Sequence, residues 1–161
     1  MTIEQALQTA MALEKRIMAL YEKAAAAGGP GKRIFTALMK EEASHLKYLN
    51  DRYQEWRETG AITAAPLTPT IPLDITQKLQ DLPLGAKGTA DEITLLEQAL
   101  ALEEETSSFY RDMHQSMSGA AKDMFARFAE IEDGHRRIVQ AEIDGLSDTG
   151  FWFDIREFRL G

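Results

Sequence analysis

The chain has 161 residues, 44% of them hydrophobic, and a formal charge of −8. That size suits one domain with its own core, and the acidic balance argues against nucleic acid and anionic membrane surfaces, which attract basic patches. There are no cysteines, which excludes disulfides, thiolate zinc sites, iron–sulfur clusters and a Cys nucleophile.

A first helix is predicted from Ile3 to Ala27. Thr2 and Gln5 form a capping box, in which hydroxyl and amide each satisfy a free backbone N–H. The inward stripe is Ile3, Leu7, Ala10, Glu14, Ile17 and Tyr21, in alternating steps of four and three. Gly28-Gly-Pro-Gly31 ends the helix and turns the chain. A second helix follows to Thr59, with a stripe of Phe35, Leu38, Glu42, His45, Leu49 and, further along, Trp56.

From Gly60 to Thr89 the composition changes. Pro66, Pro69, Pro72 and Pro83 are four of the five prolines, and the segment reads as an extended connector with a short helical turn around Asp74 to Asp81. A third helix is predicted from Thr89, where Thr89 and Glu92 form a second capping box, to Met117. Its stripe is Leu96, Ala99, Glu103, Thr106 and Tyr110. Ser118 caps a fourth helix with the stripe Phe125, Phe128, Glu132, His135, Val139 and Leu146. The tail from Phe151 to Phe158 carries large apolar residues and reads as a short fifth helix or a subunit contact. The connector has about thirty residues and reaches up to about 100 Å if extended. A bundle helix is only about 39 Å long, so one long crossover between the second and third helices is sterically open.

The chain repeats itself. Glu42-Ala-Ser-His45 and Glu132-Asp-Gly-His135 share one spacing, and each follows a Phe, Phe35 or Phe125, by seven residues. Ala10-Met-Ala-Leu-Glu14 through Tyr21 matches Ala99-Leu-Ala-Leu-Glu103 through Tyr110. One helical hairpin is therefore used twice. Each supplies a Glu from its first helix and a Glu plus a His from its second. Glu14 and Glu42 lie fourteen residues either side of Gly28, and Glu103 and Glu132 are centred between Met117 and Ser118. In antiparallel hairpins both pairs stand level, about 21 Å from their turns.

Glu and His at i and i+3 lie on neighbouring ridges of one helix face. Burying four carboxylates without cations costs many kcal/mol, and oxygen with imidazole ligation and no sulfur suits iron or manganese. The expected metal ligands are Glu14, Glu42, His45, Glu103, Glu132 and His135. Tyr21 and Tyr110, on the same faces, are expected to hydrogen-bond ligand carboxylates. Glu41, Glu104 and Glu105 rotate off the stripe by about 100° per residue and are assigned to the solvated face. His114 is assigned to the surface or bundle end. Met11, Met18, Met39, Met113 and Met124 are assigned to the core.

With these residues in place, the chain resembles the ferritin-like superfamily, and most closely the rubrerythrin diiron domain. Glu14, Glu42-Ala-Ser-His45, Glu103 and Glu132-Asp-Gly-His135 fall on that family's ligand positions. The resemblance implies an all-α, ferritin-like four-helix bundle over residues 1–161 as a single domain, with one long crossover and a short C-terminal helix. It implies two iron ions, for which manganese or zinc can substitute, with Glu14 and Glu103 as terminal ligands and Glu42 and Glu132 as bridges. The implied activity is an oxidoreductase that reduces hydrogen peroxide or dioxygen. Rubrerythrins carry a four-cysteine rubredoxin module; without cysteines here, electrons come from a separate donor such as a rubredoxin-type protein. The family's additional third-helix Glu is also missing, since Thr106 holds the inward position one turn after Glu103. The alternatives are a ferroxidase or iron-handling protein, or a non-catalytic metal-binding bundle. A homodimer and a cytoplasmic location are expected, with no secretory leader, nucleic acid or membrane.

Overall fold

The computed structural model describes residues 1–69, 71 and 90–146. They form four helices: α1 (Ile3–Ala26), α2 (Lys32–Thr59), α3 (Ala90–Ser116) and α4 (Gly119–Leu146). No strand occurs among the described residues. The helical turn expected at Asp74–Asp81, the Thr89 cap and the C-terminal helix at 151–158 lie outside them, as does most of the connector.

The Thr2 capping box forms as the sequence predicts. Thr2 Oγ1 accepts from Gln5 N–H at 3.1 Å while Thr2 N–H donates to Gln5 Oε1 at 3.0 Å. Gly28 follows α1 with a φ of +73°, a left-handed conformation that glycine adopts without Cβ strain. Gly60 closes α2 the same way, its N–H donating to Trp56 O at 2.7 Å. Ser118 stands at the start of α4, its carbonyl accepting from Lys122 N–H at 3.4 Å. His114 is half-buried at the end of α3, against Lys122 O.

Helix α1 packs on α2, α3 on α4, and α1 on α3. The core is two apolar clusters. One gathers Ile17 and Tyr21 from α1, Phe35 and Leu38 from α2, Leu96 and Ala99 from α3, and Ile138 and Val139 from α4. The other gathers Leu7 and Ala10, Leu49, Tyr110 and Met113, and Phe125 and Phe128. Chain direction follows from these memberships. Helices α1 and α4 run from the second cluster to the first, and α2 and α3 run the opposite way. In every helix the Glu and His positions fall between the clusters, so a polar layer crosses the middle of the bundle.

The start of the connector is tied down. Tyr48 OH donates to Ala65 O at 2.6 Å and Arg127 Nε to Leu67 O at 3.1 Å. Ile62 and Leu67 pack on the second cluster and Ile71 on the first. No helix among the described residues is long and apolar enough to cross a membrane.

The turn between α1 and α2 leaves no room for a side chain at Gly31. A Cβ on Gly31 would lie 2.6 Å from the ring of Phe35, which is fully buried. A Cβ on Gly28 would meet nothing within 4 Å and suffer only from the positive φ. Gly31→Ala therefore forces a buried core ring to move, at up to about 3 kcal/mol, whereas Gly28→Ala costs only the left-handed backbone penalty of about 1–2 kcal/mol. Thermal melts should show Tm falling further for Gly31→Ala than for Gly28→Ala; the reverse order would contradict the packing of Phe35 under this turn.

Candidate metal centre

Each helix brings its polar residues inward because they occupy the apolar stripe. Glu14 follows Leu7 and Ala10 and precedes Ile17 and Tyr21, all buried. Glu42 and His45 sit between Leu38 and Leu49, Glu103 between Ala99 and Thr106, and Glu132 and His135 between Phe128 and Val139. Burial of these apolar neighbours leaves the six polar groups no route to solvent. All six are at most 1% exposed.

The six residues converge. Glu14, Glu42, His45 and Glu132 offer ligand atoms within 4.8 Å of one another, and so do Glu42, Glu103, Glu132 and His135. Glu42 and Glu132 belong to both groups. His45 Nδ1 lies 3.2 Å from Glu132 Oε1, 3.3 Å from Glu42 Oε2 and 3.6 Å from Glu14 Oε2. His135 Nδ1 lies 2.8 Å from Glu42 Oε1, 3.4 Å from Glu132 Oε2 and 3.7 Å from Glu103 Oε1. The two imidazoles stack with centroids 5.6 Å apart and planes 8° from parallel. Each group, with carboxylate oxygens and an imidazole nitrogen, can hold a metal ion.

The tyrosines serve these carboxylates crosswise. Tyr110 OH donates to Glu14 Oε1 at 2.7 Å, and Tyr21 OH donates to Glu103 Oε1 in a shorter bond. Each hairpin's tyrosine thus holds the other hairpin's glutamate. The donor atoms left over fit cations. Glu14 Oε2, Glu103 Oε2, both oxygens of Glu42 and Glu132, and both histidine Nδ1 atoms are buried without a hydrogen-bond partner among the described residues. Buried polar atoms are rarely left so, and oxygens and imidazole nitrogens arranged in this way could hold a cation.

The electrostatics agree. Burial, with Glu14 beside it, pushes the Glu42 carboxyl up from 4.5 to about 8. Burial and the neighbouring Glu132 raise Glu103 well above the carboxylate range. Burial opposes ionisation of Glu14 too, but contacts with Glu42, His45 and Tyr110 outweigh it and bring it down to about 2. Burial also disfavours charge on both imidazoles, yet the surrounding carboxylates outweigh it and hold His45 and His135 well above the usual value. Without metal, protons supply the missing positive charge.

One assignment is overturned. Glu41, expected on the solvated face, is 1% exposed, with Oε2 3.0 Å from His135 Nε2. A sequence signal existed: Glu41 stands three residues after Leu38 and four before His45, so it shares the edge of their face. A narrow one-residue stripe hid it. Glu104 and Glu105 are exposed, Glu105 pairing with Arg16 at 3.3 Å. Thr106 is buried and its hydroxyl bonds Leu102 O at 2.7 Å. Of the methionines assigned to the core, Met113 and Met124 are buried and Met11, Met18 and Met39 half-buried.

The chain matches no protein-family model, no curated protein and no solved structure.

A pH dependence follows. The folded state keeps a proton on Glu42 up to about pH 8 that the unfolded chain releases near 4.5. Stability therefore falls as pH rises between those values, and the raised histidines act in the same direction above their usual 6.5. Glu14, lowered to about 2, acts oppositely and loses its contribution only as pH falls below 4.5. Calorimetry of metal-free protein should show Tm decreasing from about pH 5.5 to about pH 8.5. Divalent metal, which binds the deprotonated ligands, should oppose that decrease and add about 5–10 °C at a hundredfold excess over Kd. A metal-free Tm that climbs with pH over this range would contradict the assigned burial.

Proposed function

We propose that this chain is a ferritin-like dimetal carboxylate protein of the rubrerythrin type, which reduces hydrogen peroxide or dioxygen with electrons from a separate donor. The observation that carries the reading is the pair of four-residue groups sharing Glu42 and Glu132. Two divalent cations would cancel the four carboxylate charges, with Glu42 and Glu132 as bridges, Glu14 and Glu103 as terminal ligands, and His45 and His135 one to each ion. Iron fits the oxygen and imidazole set, and manganese or zinc can replace it.

Bound between these residues, an iron pair would supply the two electrons that, with two protons, convert peroxide to two waters. The chain's own part is to hold the ions and exclude solvent. Tyr21 and Tyr110 orient the terminal carboxylates through their hydroxyls, and Phe128, fully buried against the His45 ring at 5.3 Å, shields that side of the site. The reading includes one long crossover between α2 and α3, supported by α2 ending in one apolar cluster and α3 starting in the other. It also includes a homodimer, a cytoplasmic location and a rubredoxin-type donor.

A second reading, iron oxidation for handling or storage, is favoured by one observation. The inward position after Glu103 holds Thr106, bonded to its own helix, and Glu105 faces Arg16 at the surface. The extra carboxylate that marks rubrerythrins is therefore missing.

The test is stopped-flow mixing of the iron(II)-loaded protein with peroxide. Oxidation should run at least about tenfold faster than iron(II) in buffer, with two irons oxidised per chain. Glu42→Ala, which removes a ligand from both groups, should abolish the difference. A rate equal to buffer sinks the proposal. Continued oxidation of many further irons per chain, without a donor, would favour the handling reading.

A further inference from the structure

The duplicated hairpins agree at all six metal-facing positions and differ behind them. Glu41 precedes Glu42, whereas the residue preceding Glu132 is Ile131, fully buried. Glu41 Oε2 lies 3.0 Å from Nε2 of His135, whose Nδ1 faces Glu42, Glu132 and Glu103. The imidazole thus stands between Glu41 and the ligand cluster. A carboxylate at that position keeps the ring proton on Nε2, leaves the Nδ1 lone pair for a cation and makes that nitrogen a better donor.

His45 has no such support. Its Nδ1 approaches Glu132, Glu42 and Glu14 in the same way. Its Nε2, however, has no hydrogen-bond partner among the described residues, and its ring meets Phe128 edge-on. The tyrosines do not create this difference, since Tyr21 serves Glu103 in one group and Tyr110 serves Glu14 in the other.

We propose that Glu41 is a positioning residue that makes the two metal subsites unequal. The group Glu42, Glu103, Glu132 and His135 takes its cation first and more tightly than the group Glu14, Glu42, His45 and Glu132. The inference rests on the dimetal reading. It adds an order of loading, set by a carboxylate that touches a ligand and not the cation. It also makes the weaker subsite, beside Phe128, the one that empties first.

Cobalt(II) titration of the metal-free protein against a competing chelator tests it, followed by the visible absorption of the bound ion. The native chain should bind two ions in resolved steps. His45→Ala should keep the tight step and His135→Ala should lose it. Glu41→Leu should weaken the tight step by about 10–100-fold and leave the weak step in place, while Glu41→Gln, which keeps a hydrogen-bond acceptor, should fall between. Nitrogen NMR of the zinc-loaded protein gives a readout independent of affinity. A slowly exchanging Nε2–H should be seen on His135 and disappear in Glu41→Leu. Retention of the tight step in His135→Ala, or equal weakening of both steps in Glu41→Leu, overturns the inference and leaves the dimetal reading standing. Failure of the native chain to bind cobalt overturns both.

Discussion

Desolvation of carboxylates is the constraint on which this bundle depends. Glu14, Glu42, Glu103 and Glu132 are all fully buried, and each lies in the layer between two apolar clusters. Hydrophobic burial of Leu7, Phe35, Leu96 and Phe125 and their neighbours draws the helices together, and the acidic layer is carried inside with them. Such a layer is tolerable only when positive charge accompanies it. Protons on Glu42, His45 and His135 meet that need in part, and a metal ion held by the same groups could meet it too. The fold and the site are therefore one problem, because the packing that forms the core also creates the demand for cations.

Much of this was legible in the sequence for a simple reason. Helical periodicity places every third or fourth residue on one face, and a Glu on an otherwise apolar stripe is costly enough to signal a purpose. All four stripes emerge from that rule, while the Thr2 cap and the Gly28 turn follow from capping side chains and glycine. Level heights came from counting residues between ligands and turn, since rise per residue is constant. The crosswise pairing of Tyr21 with Glu103 and Tyr110 with Glu14 was not legible. Spacing along one helix says which face a tyrosine occupies; only the packing of α1 on α3 decides whose carboxylate it meets. Glu41 was hidden for a related reason. A buried face is wider than a single stripe, and the residue that makes Glu41 meaningful, His135, is on another helix.

The repeat gives the site approximate internal symmetry, which a few positions break. The six buried Glu and His residues and the two tyrosines keep the symmetry. Glu41 against Ile131 breaks it, and so does the connector, held by Tyr48 and Arg127 on one flank of the bundle. Tyr48 also touches Phe128 at 5.7 Å, and Phe128 touches His45. The half of the centre without a carboxylate behind its histidine is thus the half linked through aromatic rings to the connector.

The exchanged tyrosine bonds bear on how the molecule comes together. A lone hairpin holds a glutamate whose phenolic partner is on the other one, so neither half can finish its own polar network. Two such halves meeting would satisfy both networks at once, which makes their docking cooperative.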